Sequence, residues 1–213
     1  MAARGLVVST LTGLLLTACG GTGTLYVSAR FSSDGSTPSS RGRVTVREAA
    51  TTGQVVTDAQ VSVTGSKMPK TGLPFVMNGN EYRAEGFGWD ESLRIEVVRG
   101  NDRVEATVQS PGFTVITAPT QDGTVIKANG LLVTWRDSGN VPAHIVRVRL
   151  ERADVDVTLA DDKFEYRIGA DPLTVTDRES VYLDRSNEMA PAGGAPGSVL
   201  TATTTHSIQF KVE

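Results

Sequence analysis

The feature that most constrains the fold of this chain is an apolar–polar alternation with a period of two residues. It recurs in segments rich in Val, Thr and Ile, at 43–46, 59–63, 93–97, 145–150 and 207–212. Successive side chains of a β-strand point to opposite faces of a sheet, so this pattern predicts antiparallel strands that are buried on one face. After residue 18, no segment carries a convincing apolar stripe at helical spacing. The sequence therefore predicts an all-β protein.

Clusters of Gly, Pro, Asn and Asp separate the alternating segments at intervals that are typical of β-sandwiches. Two hairpins are predicted. One joins 93–97 to 104–108 through Arg99–Asp102, and the other joins 155–159 to 164–168 through 160–163. A polar break at 119–123 predicts a boundary between two antiparallel β-sandwiches in tandem, at 25–119 and 120–213.

The first 18 residues have the layout of a secretory signal peptide. Arg4 supplies the positive charge, and residues 5–17 form an apolar segment. A membrane-spanning helix needs about 20 apolar residues, so this segment is too short to be one. Cys19 follows directly and is the only cysteine in the chain. Because an exported protein with one free thiol risks stray oxidation, we expect Cys19 to be modified.

Leu16-Thr17-Ala18-Cys19 resembles the lipobox of bacterial lipoproteins. The resemblance implies a diacylglycerol on the thiol of Cys19, cleavage after Ala18 and an acyl chain such as palmitate on the new amino group. Several acyl chains together anchor a protein firmly in a bilayer. Residues 19–24 are then a glycine-rich tether. Gly20, in place of Asp after the lipidated cysteine, implies the outer membrane, and the alternative is an ordinary signal peptide with a chance cysteine.

Short segments also resemble known β-sandwiches. Residues 53–65 and 78–84 are similar to transthyretin-like and carboxypeptidase-regulatory-like domains. Residues 130–135 and 145–150 are similar to strands B and C of immunoglobulin-like and fibronectin type III domains, with Trp135 as the core aromatic. The cysteine pair and the tyrosine corner of those domains are absent from the sequence. The whole layout resembles two-domain lipoproteins of myxobacteria-like Gram-negative bacteria, and these resemblances imply a fold but no catalytic residue.

Charge and motifs narrow the possible functions. The formal net charge is −3, and removal of the signal peptide with its Arg4 makes it more negative by one. An acidic chain is not expected to bind nucleic acid by electrostatic attraction. The sequence also shows no run of basic residues that would bind anionic lipid. Nucleophile-elbow and glycine-rich nucleotide-binding motifs are absent as well. We therefore expect no enzymatic activity and no cofactor.

An alternative hypothesis is a metal-dependent binder or hydrolase that uses Zn²⁺ or Ca²⁺. His144 and His206 are the only histidines, and a zinc site needs three or four ligands in total. Carboxylates at Asp154, Asp156 and Asp161-Asp162 could supply oxygen ligands for calcium. The ordinary interpretation is that these histidines and carboxylates are solvated surface groups.

Phe87-Gly88-Trp89 is either an exposed recognition patch or an aromatic plug of the sandwich, and burial of large aromatics favours the plug. The leading expectation is a non-enzymatic, membrane-anchored envelope lipoprotein that binds or scaffolds. Its expected partners are the lipid bilayer, through acylated Cys19, and other envelope proteins or glycans.

Overall fold

The structure is a computed structural model that describes residues 24–34, 40–65, 72–139 and 141–213. These residues are all-β, with one 3₁₀ turn at Lys127–Asn129 and no α-helix. None of them belongs to a helix that could cross a membrane. The strands in chain order are β1 (Leu25–Asp34), β2 (Ser40–Glu48), β3 (Gln60–Thr64), β4 (Leu73–Pro74), β5 (Val76–Asn78), β6 (Glu81–Glu85), β7 (Ser92–Arg99), β8 (Asp102–Gln109), β9 (Thr114–Ala118), β10 (Thr124–Val125), β11 (Leu131–Asp137), β12 (Ile145–Leu150), β13 (Asp156–Leu159), β14 (Glu165–Ile168), β15 (Thr176–Met189) and β16 (Val199–Val212).

The strands of the described residues form three sheets. The large sheet has nine strands in the order β13-β12-β15-β16-β1-β2-β6-β5, and β10 pairs with β16 beside this path. A four-stranded sheet has the order β4-β3-β7-β8, and a three-stranded sheet has the order β14-β11-β9. Neighbouring strands are antiparallel except that β16 runs parallel to both β1 and β10.

The two small sheets cover different parts of one face of the large sheet. The first core lies between the four-stranded sheet and β1, β2 and β6, with Val27, Val44 and Ile95 fully buried. The second core lies between the three-stranded sheet and β12 and β15, with Val133 and Val148 fully buried. Two apolar sheet faces that pack against each other exclude water from the side chains between them, as in a β-sandwich.

Strands β15 and β16 are the longest in the described chain, at 14 residues each. Leu200 and Ala202 of β16 pack in the first core, whereas Ile208 and Phe210 pack in the second. Side chains two residues apart lie on the same face of a strand, so β16 passes along both cores. Strand β16 therefore completes the core that β1 begins.

The alternating segments form strands as predicted, and the hairpin around Arg99–Asp102 is confirmed. Strands β7 and β8 pair from Ser92 with Gln109 to Arg99 with Asp102. Gly100 has a φ of 59°, and glycine adopts such positive angles without the clash of a Cβ.

The second predicted hairpin is wrong. Strand β13 pairs with β12 in the large sheet, whereas β14 pairs with β11 in the three-stranded sheet. The segment between them crosses from one layer to the other. Asp162, in this segment, turns inward and is held by Trp135 and Arg185. This buried contact explains why the segment does not close a two-stranded turn.

Candidate functional site

The modified cysteine predicted from the sequence, Cys19, lies outside the described residues, as do the signal peptide at 1–18 and the tether up to residue 23. The described chain starts at Thr24, whose Oγ1 donates a hydrogen bond to Asp102 Oδ2. Leu25, the next residue, begins β1 and is 1 % exposed. The polypeptide therefore enters the first core directly after the predicted tether.

The structure separates the two histidines. The backbone N–H of His144 donates to the Asn187 side chain, and Asn187 lies opposite Ala202 of β16. His206 lies four residues farther along β16. With strands about 4.8 Å apart and a rise of about 3.3 Å per residue, the two Cα atoms are about 16 Å apart. One zinc ion, held at about 2 Å by each ligand nitrogen, could not be shared across this distance.

The acidic region between Asp154 and Asp162 is also dispersed. Asp156 forms an exposed ion pair with Arg147, and Asp161 lies 3.8 Å from Lys163 Nζ. Asp162 points into the protein instead. Within the part of the chain that the structure describes, no group of three or more His, Cys, Asp or Glu residues is placed to hold a metal ion.

Both tryptophans are buried, one in each core. Trp89 is 7 % exposed and packs in the first core with Phe87, which confirms the plug interpretation of this aromatic segment. Trp135 is 3 % exposed in the second core, as the sequence resemblance implied. The indole N–H groups are satisfied, because Trp89 donates to the carbonyl of Pro111 at 3.0 Å and Trp135 donates to Asp162 at 2.9 Å.

A buried polar layer separates the two cores. On the inner face of β15, Val181 and Leu183 belong to the second core, and the next inward residues are Arg185 and Asn187. The inner face of β16 changes in the same way, since Thr204 lies between the two apolar pairs described above. We call this layer the junction. Buried polar groups need partners, so the contacts of these side chains decide how the two cores are joined.

Arg185 is the centre of the junction. Its side chain is fully buried, and Nε donates to Asp162 Oδ2 at 2.7 Å. One terminal nitrogen donates to Asp137 Oδ2 at 2.7 Å. The guanidinium also lies 5.6 Å from the ring centroid of Phe164. A guanidinium can satisfy two carboxylates with its fixed fork of donors, so these contacts connect β15 to the C-terminal end of β11 and to the segment that precedes β14.

Further hydrogen bonds cross the junction between the segments of the two cores. Asn187 Nδ2 donates to the carbonyls of Gln109 and Pro142, each at 2.9 Å. Thr204 Oγ1 donates to the carbonyl of Gly112 at 3.2 Å. A Cβ on Gly112 would lie only 2.5 Å from the backbone nitrogen of Gly139. The chain segments of the two cores therefore meet at backbone contact distance.

A cleft of about 190 Å³ opens beside the junction. It is lined by Trp89, Asp90, Glu91, Ser110, Pro111, Gly112, Phe113, Ser138, Gly139 and Val141. Typical small-molecule sites have volumes of roughly 300–1,000 Å³, so this cleft is smaller than most of them. Ser110 is 1 % exposed, and its Oγ has no hydrogen-bond partner. The volume of this cleft therefore gives little support to a small-molecule site beside the junction.

His206 lies at the edge of the junction on β16. Its Nδ1 accepts a hydrogen bond from the backbone N–H of Ile116 at 3.3 Å. Burial lowers the pKa of the imidazole from its ordinary value of 6.5, and the negative charge of Asp34 opposes this shift. The sequence identified His206 as a possible metal ligand. In the structure, its ring forms a hydrogen bond that joins β16 to β9.

The junction was not predicted from the sequence. Arg185 and Asp162 are 23 residues apart and belong to no recognisable motif. The one feature of the sequence that could have indicated the junction is Arg185, a charged residue at a position of β15 where the apolar–polar alternation predicts a buried apolar side chain. No protein-family model matches the chain, and a search of curated proteins finds no significantly similar sequence.

Proposed function

We propose that this protein is a non-enzymatic lipoprotein of the bacterial envelope, anchored through acylated Cys19, that acts as a rigid binding or scaffolding module. The observation that carries this proposal is the pairing of β1 with β16. Seven consecutive residues of β1, from Ser28 to Asp34, pair in parallel with β16. The strand nearest the proposed anchor is thus bonded to the strand that passes along both cores.

This arrangement suits a scaffold. A chain with two independently moving domains would lose the orientation of the distal domain relative to the membrane. Here the shared strand β16 and the hydrogen bond from Asn187 on β15 to Gln109 on β8 link the cores, so surfaces on both keep a fixed relation to the anchored end. Sites of recognition on such folds are carried by loops and exposed strand faces held on a rigid framework.

The finer description of the fold belongs to the same proposal. We propose that the two cores correspond to a transthyretin-like and an immunoglobulin-like sandwich whose large sheets have become continuous. Supporting features are the separate small sheets and the buried Trp135 in the second core. The proposed location is the outer membrane, because Gly20 follows the lipidated cysteine.

The anchor is tested by expressing the full chain and its Cys19→Ala variant in a Gram-negative host with radiolabelled palmitate. We expect label and membrane fractionation for the unmodified chain, and neither for the variant. Recovery of the variant in the membrane pellet after a high-salt wash would contradict the proposed anchor.

The scaffold is tested by crosslinking in the intact envelope, followed by mass spectrometry of captured proteins and glycans. The Cys19→Ala variant is the matched control, since it keeps every described surface and removes the thiol that carries the proposed lipid. We expect partners that are captured by the anchored chain and not by this variant. An identical set of captured molecules from both would contradict a role at the membrane.

A further inference from the structure

The outer face of the large sheet carries a group of exposed arginines. Arg30 on β1, Arg41 and Arg43 on β2 and Arg83 on β6 are all exposed. Each lies between inward-facing buried residues, so all four project to the solvent side of the same sheet. We call these four residues the arginine face. Their positions are scattered in the sequence, and only strand pairing brings them together.

The register places three of these arginines in one row. Arg30 lies directly opposite Arg43, and Arg43 lies directly opposite Arg83. Directly opposed side chains have Cβ atoms about 4.5–5.5 Å apart, and like charges at this distance destabilise a sheet. The fold therefore keeps a local repulsion that a neutral residue on β2 would relieve.

Asp34 at the end of β1 and Glu81 and Glu85 on β6 are the acidic side chains on this face, and they compensate part of this charge. Glu81 forms an ion pair with Arg83. Glu85 lies opposite Arg41 in the register, but no ion pair joins them. Within the described residues, no hydrogen bond or ion pair is formed by the side chains of Arg30, Arg41 or Arg43. Three guanidinium groups thus remain available on a protein whose overall charge is negative.

The surroundings of the arginine face are rich in hydroxyl groups. Ser28 and Ser32 lie on the same face of β1 as Arg30, whereas the Thr201 hydroxyl on the neighbouring β16 already donates to Glu188. Guanidinium and hydroxyl groups are both donors that suit phosphate oxygens, and arginine can bind phosphate with two parallel hydrogen bonds. The chemistry of the face is therefore that of a phosphate-binding surface.

The position of the face identifies the source of the phosphate. Arg30 is five residues from Leu25, which is about 17 Å along β1. The six residues from Cys19 to Leu25 can span at most about 20 Å. A lipid attached at Cys19 thus keeps the arginine face within reach of the headgroups of the same bilayer.

We infer that the arginine face binds the anionic phospholipid headgroups of the membrane to which the protein is anchored. Its cellular setting rests on the proposed function, whereas headgroup binding itself is a property of the folded chain. Contact along β1, β2 and β6 would orient the large sheet against the bilayer. The two small sheets would then face away from the membrane, toward other envelope components.

The test uses unlipidated protein, so that acyl chains do not contribute to binding. The chain from residue 19 onward, carrying Cys19→Ala, is sedimented with vesicles of phosphatidylcholine alone or of phosphatidylcholine mixed with phosphatidylglycerol. We expect binding only to the vesicles that contain phosphatidylglycerol, and loss of that binding in 1 M salt, where the Debye length is about 3 Å.

The decisive variant is R30Q/R41Q/R43Q in the same background. Each basic residue near an anionic surface contributes about fivefold to binding, so we expect a partition coefficient that is about a hundredfold lower. The matched control, R136Q/R152Q/R167Q, removes the same charge from three exposed arginines on other surfaces and is expected to bind like the parent. Urea unfolding verifies the fold, and relief of the opposed charges should leave the midpoint of R30Q/R41Q/R43Q equal to or above that of the parent.

Three outcomes would overturn the inference. These are equal binding to neutral and anionic vesicles, an equal loss of binding in both triple variants, and binding to a soluble polyanion such as heparin without binding to the anionic vesicles. None of them affects the palmitate and fractionation tests of Cys19, because the lipid attachment is absent from this experiment.

Discussion

Arg185 on β15 and Asp162, in the segment between β13 and β14, form an ion pair that is almost completely withdrawn from solvent. Their side chains are 0 % and 5 % exposed, and Arg185 Nε lies 2.7 Å from Asp162 Oδ2. The second carboxylate oxygen accepts a hydrogen bond from Trp135. The pair therefore fixes the point at which the chain leaves the large sheet for the three-stranded sheet.

Replacement of Arg185 should strongly destabilise the protein. Arg185→Leu leaves the carboxylates of Asp137 and Asp162 without their shared cation, and breaking a buried ion pair from one side costs about 3–5 kcal/mol. Urea denaturation followed by circular dichroism measures this change. Arg147→Leu is the control, because Arg147 forms an ion pair that is exposed, and it should have little effect. Equal midpoints for the two variants would show that the Arg185 network contributes no stability.

The contact between Gly112 and Gly139 gives a second prediction about the junction. Gly112→Ala places a methyl group against the backbone of Gly139, where neither partner has a flexible side chain that could move aside. We expect a loss of about 1–3 kcal/mol, which is typical of overpacking at a tight contact. The control is Gly169→Ala, whose Cβ would meet no atom within 4 Å. If both variants unfold at the same urea concentration, the close approach of the two segments is incorrect.

The apolar–polar alternation and the turn residues of the sequence were sufficient to predict many of the strands. The alternation at 93–97 and 145–150 predicted β7 and β12, because burial on one face requires that period. The glycine at position 100 marked the turn between β7 and β8, since its positive φ is unfavourable for other residues. In each case the decisive interaction lies between residues that are close in sequence.

The junction and the arginine face depend on pairing between distant segments, which alternation does not encode. The 160–163 segment has the composition of a hairpin turn. However, Asp162 forms an ion pair with Arg185, and the chain passes there from the large sheet to the three-stranded sheet. Arg30, Arg43 and Arg83 each satisfy a simple outward strand position. Their alignment follows from the order β1-β2-β6, which no local feature of the sequence determines.

The shared strand β16 predicts that the two cores unfold together. Trp89→Phe leaves Trp135 as the fluorescent probe of the second core, and Trp135→Phe leaves Trp89 as the probe of the first. Within each variant, we expect the fluorescence and far-UV circular dichroism transitions in urea to coincide, as in a two-state transition. Trp135→Phe also removes the hydrogen bond to Asp162 and should lower stability by about 1–3 kcal/mol. Two separated transitions in either variant would show that the cores are independent.

The environment of His206 predicts that the protein is destabilised as the pH falls. Burial lowers the pKa of His206 in the folded state below its ordinary value of 6.5, so the unfolded chain binds a proton more readily than the folded one. The resulting loss of stability begins near pH 6.5 and increases until the pH reaches the lower pKa of the folded state.

His206→Gln should therefore reduce the dependence of the urea midpoint on pH between about pH 7 and pH 5. Carboxylates that titrate in the same range act equally in the parent and the variant, so the difference between their slopes isolates His206. His144→Gln is the matched control for the loss of an imidazole, because His144 lies on the surface. An equal reduction of the slope in both variants would show that burial of the His206 ring does not control this pH dependence.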